Sequence, residues 1–423
     1  MNRVAHVDHT VEPGGAEIAL RRLLEAEHGW QGTVFVPPSA AGLGEYASLG
    51  ATLAPGAVQV VQVLGVPQRA GATTASARAR LAMLAAGIAQ AAALRRSPAF
   101  RRSDIVHANT SRAALIGLLA TVGSRRRLVV HLRDAVDAAA LGSVAVRALR
   151  LALRRADGVI ANSRFTLESA RPWIRDGATV AVIPSPTGFD GSRPPAPPRD
   201  AVRTVGILGR LAPWKGQAQL LRAFAEAFPD GDVRLQLAGS AAFGEEAYER
   251  QLTSLAAELG IADRVDLLGQ VRDIWPLLDE WDVCVHASTR PEPLGQSVLQ
   301  YLAAARPTIA ARAGGPLEWI DDGQTGLLTA MGDVGELAGA LRRLADEPAL
   351  RQQLHGNLVQ QRPVRPDAEI ARAHAELFAA VAGPRAQQEP PAPQTPSPSA
   401  TPASGPAARA LDGVGVERDE SLR

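Results

Sequence analysis

"RTVGILGRLAPWKGQ", residues 203–217, reads as a buried strand, a glycine at its end, and two cations within six residues of that glycine. The run Val205–Leu208 carries no polar side chain to mark a wet face, as expected of a strand covered on both sides in a parallel sheet. In doubly wound sheets, ligands sit at the carboxyl ends of the strands, beside helix amino termini. Arg210 and Lys215, following Gly209, are therefore placed to grip an anion, the arginine bidentately and the lysine as a compact point charge. Two solvated surface cations are the plain alternative. Lys215 is the only lysine among 45 basic residues, the rest being arginine.

The same grammar extends in both directions. In the first half, "RVAHVD" (3–8), "TVFVP" (33–37), "DIVHA" (104–108), "LVVHL" (128–132), "DGVIA" (157–161) and "TVAVIP" (179–184) read as strands. In the second half, "VRLQLAG" (233–239), "RVDLLG" (264–269), "DVCVHAS" (282–288) and "PTIAAR" (307–312) follow suit. Between them lie helical stretches at 16–28, 112–122, 143–155, 164–174, 216–228, 245–259, 295–305 and 334–346. This alternation predicts an α/β protein of two Rossmann-like, doubly wound parallel-sheet domains. The segment "SRPPAPPRD" (192–200) holds four prolines in nine residues and reads as a linker. Domain boundaries of about 1–190 and 200–366 follow, with a last helix at 367–383. Residues 384–423, rich in Pro, Ala, Ser and Gln, have too little apolar bulk to repay ordering and are expected to be disordered.

Net charge is only +2, yet between Arg78 and Arg155 fifteen arginines face three acids, Asp104, Asp134 and Asp137. That block is a candidate surface for anionic partners, with an anionic membrane preferred. The apolar run 81–94, flanked by arginines, is either a packed helix or one resting on such a surface. No stretch reaches the ~18 apolar residues of a spanning helix, and no secretory signal is evident, so the cytoplasm is the expected location. A single cysteine, Cys284, excludes a disulfide framework. Aromatics at 4% and no recognisable nucleic-acid motif argue against nucleic-acid binding. There is no GxxxxGK[ST] loop, no GxGxxG after a strand and no HExxH, so ATPases, dehydrogenases and zinc proteases are disfavoured.

Other strand ends offer further candidates. Gly14 and Gly15 precede the first helix and let backbone N–H groups approach a ligand; an ordinary strand-to-helix turn is the plain alternative. His131 sits at the end of "LVVHL", followed by Arg133 and Asp134, with a packed histidine as the alternative. Gly295 precedes the helix 295–305, whose amino end faces the same region. Glu292 lies in the loop before it, and Gln300 about two turns inside. Gly314 and Gly315 turn the chain before another short helix.

In order and spacing, "GGAE", "VVHLRDA", "ADGVIANSRFT", "GRLAPWKGQ", "LQLAG", "RVDLLGQV", "PEPLGQSVLQYLAAARPTIA", "GGPLEWI" and "GQTGLL" resemble the retaining glycosyltransferases of family 4, with the GT-B fold. The resemblance covers roughly residues 3–380. It implies transfer of a sugar from a nucleotide-diphosphate donor to a hydroxyl of a glycan or lipid-linked acceptor, without metal or other cofactor. By it, Arg210, Lys215, Gly295, Gly14 and Gly15 correspond to donor-diphosphate positions, and Glu292 and His131 to groups that touch the transferred sugar. Gln300, Gly239 and Val271 correspond to ribose and nucleotide positions. Two departures stand out. The second acid of the family's E-x7-E is Gln300, and the family's "IPNG-D" reads "IPSPTGFD". An amide can still accept a ribose hydroxyl, without charge assistance. The resemblance further implies front-face attack, with the departing phosphate taking the acceptor's proton. A protein that binds nucleotide sugar as a sensor or assembly partner is the alternative reading.

Overall fold

A computed structural model describes residues 1–39, 42–50, 58–62, 77–241 and 245–383. The expected disordered tail, 384–423, lies outside the described residues. Seven strands form the first sheet: β1 (Asn2–Val7), β2 (Trp30–Val36), β3 (Gln59–Gln62), β4 (Ile105–Ala108), β5 (Arg127–Leu132), β6 (Gly158–Ala161) and β7 (Thr179–Val182). Their order is β3-β2-β1-β4-β5-β6-β7, with parallel pairing throughout. Six strands form the second: β8 (Thr204–Leu208), β9 (Arg234–Ala238), β10 (Val265–Gly269), β11 (Val283–His286), β12 (Thr308–Ala311) and β13 (Leu327–Thr329). Their order is β10-β9-β8-β11-β12-β13, again parallel.

Both sheets have the doubly wound order, confirming the expected fold class. In each, the chain reverses its direction of winding at one point, between β1 and β4 in the first sheet and between β8 and β11 in the second. These switch points open crevices at the strand ends and locate the sites below. The central strands are buried from end to end; Ile105–Ala108 and Val283–His286 have no exposed residue. Two strands, β3 and β13, were absent from the reading of the sequence. Both are short and lie at sheet edges.

Helices cover both faces of each sheet. The 81–94 run lies within a helix, Ala77–Arg96, whose Ala91 and Leu94 enter the core with Phe100, Ile116 and Leu149. Ile88 stays half exposed on its outer side. Among the described residues no helix is long and apolar enough to cross a membrane. After the second sheet the chain returns to the first. Helix Asp367–Ala382 buries Ile370, Leu377, Phe378 and Val381 against Val4, Leu20, Trp30, Val129 and Ile160. At about 1.5–3 kcal/mol for each large side chain fully buried, that face is a strong tether between the chain's end and its beginning.

Candidate active site

At the second switch point, β8 leads into Gly209 and a short turn, Pro213–Lys215. Gly216 closes the turn at φ +76°, and any Cβ there would lie 1.8 Å from the Ala287 carbonyl oxygen, so only glycine fits. This close approach lays the turn across the end of β11. Lys215 consequently reaches Glu292, with Nζ 2.7 Å from Oε1. Its ammonium also stands 4.4 Å from the Trp214 ring centroid. Ser288 donates a short hydrogen bond to the same Oε1, and His286 Nε2 lies 3.0 Å from it. Burial pushes the Glu292 carboxyl up, but Lys215 and His286 more than offset this and hold it well below the usual carboxylate range. Glu292 is thus a fixed, buried anion. The backbone behind it is clasped by Gly315, whose N–H donates to the Glu292 carbonyl at 2.8 Å.

Arg210 lies at the same strand end, half buried, its charge disfavoured by burial and supported by Glu245. Lys215 is therefore tied first to Glu292, a pairing that the sequence did not foretell. Gly295 starts helix Gln296–Ala303 beside this group. Gly239 closes against Gly209, its N–H donating to the Gly269 carbonyl, and Val271 packs in the cluster of Trp275, Leu278 and Tyr301. His286 and Ser288 were overlooked in "DVCVHAS"; their place at a strand end beside the switch point is the signal that could have found them.

The first switch point carries a second polar cluster. Asp8, at the end of β1, is fully buried. It accepts from Tyr46 at 2.5 Å, Asn109 at 2.7 Å and its neighbour's backbone, His9 N, at 2.7 Å. Burial pushes its carboxyl up; His9, Tyr46 and Asn109 outweigh that and bring it below the usual value. Arg133, buried at the end of β5, donates to Asn109 Oδ1 and to Ser185 Oγ, both at 2.7 Å. Burial lowers its pKa to about 10, with Asp8 and Glu17 supporting the charge. Glu17, 4% exposed in the first turn of helix Gly15–Glu25, is raised to about 8 by burial and by Asp8. Ligand atoms of Asp8, His9 and Glu17 lie within 4.8 Å of one another, a spacing that a divalent ion could bridge. Asp8 is already saturated by protein donors and Arg133 supplies the positive charge, so the cluster is balanced without one. Asp8, Glu17 and Arg133 were not among the expected site residues.

The two clusters face one junction. A Cβ on Gly15 would come within 3.9 Å of Gln296 Oε1, and one on Gly14 would meet the Glu17 carboxylate. Ser163, after β6, donates to the Pro293 carbonyl, one residue from Glu292. Glu318 accepts from the N–H groups of Arg164 and Phe165 at 2.8 and 2.7 Å, capping the helix Arg164–Ala170 of the opposite domain. Gln300 is 8% exposed and donates from Nε2 to the Thr187 carbonyl at 3.0 Å.

His131 does not join them. Its ring is fully buried within the first domain, under helix Asp367–Ala382, on the sheet face that helix Gly15–Glu25 also covers. There it belongs to a histidine chain: Trp30 Nε1 donates to His6 Nε2 at 3.0 Å, and His6 Nδ1 meets His107 Nδ1 at 2.9 Å. His107 Nε2 then meets His131 Nδ1 at 3.1 Å. Tryptophan only donates, so neutral rings must pass hydrogens along the chain toward His131 Nε2. Of "HLR", it is Arg133, one residue past the end of the strand, that reaches the switch-point cluster, while His131 is still within the strand and packs in the core.

Comparisons with known proteins agree with this architecture. The description "Glycosyl transferase 4-like domain" matches residues 14–186, and "Glycosyl transferases group 1" matches residues 192–358. The lipopolysaccharide core biosynthesis glycosyltransferase LpsD of Rhizobium meliloti (strain 1021) is 36% identical over 190 residues, 43% of this chain and 51% of that protein. A D-inositol 3-phosphate glycosyltransferase of Actinosynnema mirum is 31% identical over 226 residues, 48% of this chain and 52% of that protein. The chain thus spans about half the length of the curated relatives it matches. A crystal structure of Anabaena HepE in complex with UDP-glucose superposes with a TM-score of 0.74 at 27% identity, over 90% of this chain and 100% of that one. The chain belongs to the group 1 glycosyl transferases, built on the GT-B fold.

Proposed function

We propose that this protein transfers a hexosyl group from a nucleotide-diphosphate sugar to an acceptor hydroxyl in the synthesis of a cell-envelope glycan or glycolipid. One observation carries the reading: the part-buried Lys215–Glu292 pair at the second switch point, beside the start of helix Gln296–Ala303 and facing Gly15 across the junction. Cleavage of the donor leaves a diphosphate that gains negative charge. Arg210, Lys215 and the helix amino end would stabilise that charge where it develops, the role a divalent ion plays elsewhere. Glu292, held ionised, would accept hydroxyls of the sugar, while the near-neutral Asp8–Arg133–Glu17 cluster receives the acceptor. UDP-glucose is the first donor to try, given its presence in the HepE structure.

The transfer is proposed to retain configuration by front-face attack, since Glu292 is engaged by Lys215, Ser288 and His286 and is thereby poorly placed as a nucleophile. Isolation of a glycosyl adduct on Glu292 would overturn that. The acceptor is proposed to be lipid-linked, met at the cytoplasmic face of a membrane. Helices Ala77–Arg96, Ser111–Thr121 and Ser143–Leu153 pack side by side. They and their ends expose Ile88, Val122, Val144 and Leu151 among the arginines of the 78–155 block. The test of function is UDP release from UDP-glucose together with thermal stabilisation by the same donor. Neither turnover nor stabilisation by any of a panel of nucleotide sugars would sink the proposal. Co-sedimentation with vesicles containing phosphatidylglycerol, and not with neutral ones, tests the membrane contact.

A further inference from the structure

The two departures from the family pattern touch each other. Gln300 stands where the family has its second acid, and Thr187 lies in the altered "IPSPTGFD" segment; the Gln300 amide donates to the Thr187 carbonyl at 3.0 Å, in a buried setting. Carboxylates cannot make this contact, because an ionised Glu has no hydrogen to offer a carbonyl oxygen. The segment 185–189 is also the knot of the molecule. Arg133 of the first sheet donates to Ser185. Gln296 Nε2 lies 3.4 Å from the Pro186 carbonyl. Asp367, at the start of the returning helix, accepts from Thr187 N and Gly188 N, both at 2.9 Å, and donates its own N–H to Phe189. Three parts of the chain therefore meet at one strip of backbone, and Gln300 is the side chain that binds the donor-side helix Gln296–Ala303 to it most squarely.

We propose that Gln300 is a positioning residue that sets the closure of the two domains. Through Thr187 it fixes the helix whose amino end carries the donor phosphates, and the exchange of Glu for Gln trades a charge-assisted ribose contact for this tie. The inference deepens the donor-binding reading and rests on it for its kinetic consequences, but the tie itself can be measured with no donor present. The only native cysteine, Cys284, is buried, so cysteines at the exposed Arg171 and Arg343 can carry a fluorescence pair across the domains.

In Gln300→Glu and in Gln300→Met, which keeps the length but cannot donate, the interdomain distance distribution should widen without any sugar nucleotide. In Gln300→Glu, kcat with UDP-glucose should fall about tenfold, the worth of one buried hydrogen bond, while KM stays within roughly threefold or drops. Far-UV circular dichroism and the melting midpoint show that each variant is folded. An unchanged distance distribution, with KM lowered and kcat intact in Gln300→Glu, would make Gln300 a ribose ligand alone and overturn the proposal. Widening of the distribution in a protein that turns over no nucleotide sugar would uphold the tie and count against the transferase reading instead.

Discussion

Glu17 and Glu292 are both buried acids at switch points, and their surroundings drive them in opposite directions. Beside β1, the carboxyls of Asp8, Glu17 and Asp134 share the Arg133 guanidinium, and burial with Asp8 beside it leaves Glu17 to give up its charge near neutral pH. Beside β8 and β11, Glu292 meets Lys215 and His286 and keeps its charge, while Arg210 at the same strand end is supported by Glu245. The first site is thereby close to neutral and rich in hydrogen-bonding groups. The second keeps its charges, with Lys215 set against Glu292 and Arg210 supported by Glu245. One fold, used twice, gives its buried acids opposite fates at equivalent crevices.

Breaking the first site should cost the most. Arg133→Met leaves Asp8 buried with its countercharge gone, and such a loss typically costs about 3–5 kcal/mol. Urea unfolding of the first domain should show it; a loss below about 1 kcal/mol would mean that the hydrogen bonds from Tyr46 and Asn109 suffice to hold Asp8.

Breaking the second site should appear in turnover. Lys215→Ala removes both the proposed phosphate cation and the partner of Glu292, and a drop of about 10²–10³ in kcat/KM is expected, as when one preorganised charge donor is lost. Lys215→Arg should lie between, since a planar guanidinium does not fit where an ammonium rests on Trp214 and reaches Oε1 at 2.7 Å. Near-normal turnover of the arginine variant would reduce the single lysine to an accident of composition.

Much of this was legible in the sequence because parallel strands buried on both faces announce themselves as apolar runs. The glycines and cations after them mark the strand ends. Gly216 beside Lys215 and Gly314 beside Glu292 are such markers, each forced by a close backbone approach. What stayed hidden follows one physical pattern. Edge strands such as β13, three residues long, have too few positions to show a period. Partners chosen across long separations are invisible as well: Lys215 with Glu292, Gln300 with Thr187, Arg133 with Ser185. His131 stands within the strand and packs in the core, whereas Arg133, one residue past the strand's end, reaches the switch-point cluster, a difference that the apolar run alone does not mark. Asp8 and Glu17 were missed because a lone acid near a turn carries no mark of the buried neighbour that shifts it.

The contrast between the sites can be sharpened by pH. Glu17 has a folded pKa near 8, above its ordinary value of about 4.5. Its contribution is therefore fully present at low pH and is lost as pH rises toward 8. Glu17→Gln should remove that slope, about 1.4 kcal/mol per pH unit at most. The histidine chain runs the other way. Burial lowers His6, His107 and His131 well below the usual imidazole value, and His374 to about 4. Stability from these neutral rings is present above about pH 6.5 and is lost as pH falls toward 4, again at up to about 1.4 kcal/mol per unit for each. Unfolding free energies measured from pH 4.5 to 8.5 should form a dome, and His374→Leu should soften only its acid limb. A flat profile below pH 6.5 would show that the rings are charged or hydrated in the fold.

The smallest effect expected is at the contact that brings the two sites together. Glu318 reaches from the second domain to accept two backbone N–H groups, Arg164 and Phe165, at the amino end of a helix in the first. There a carboxylate gains from both the hydrogen bonds and the helix dipole. Glu318→Gln keeps one acceptor oxygen and the shape but loses the charge, a difference of about 0.5–1.5 kcal/mol. With the fluorescence pair at Arg171 and Arg343, the open population should rise roughly two- to tenfold, and the difference should shrink as salt screens the charge. An equal population in the variant and the parent at low salt would mean that other contacts, Ser163–Pro293, Gln296–Pro186 and Gln300–Thr187 among them, hold the domains without it. The two sites would then be aligned through neutral hydrogen bonds, and the charge contrast between them would have no part in closing the molecule.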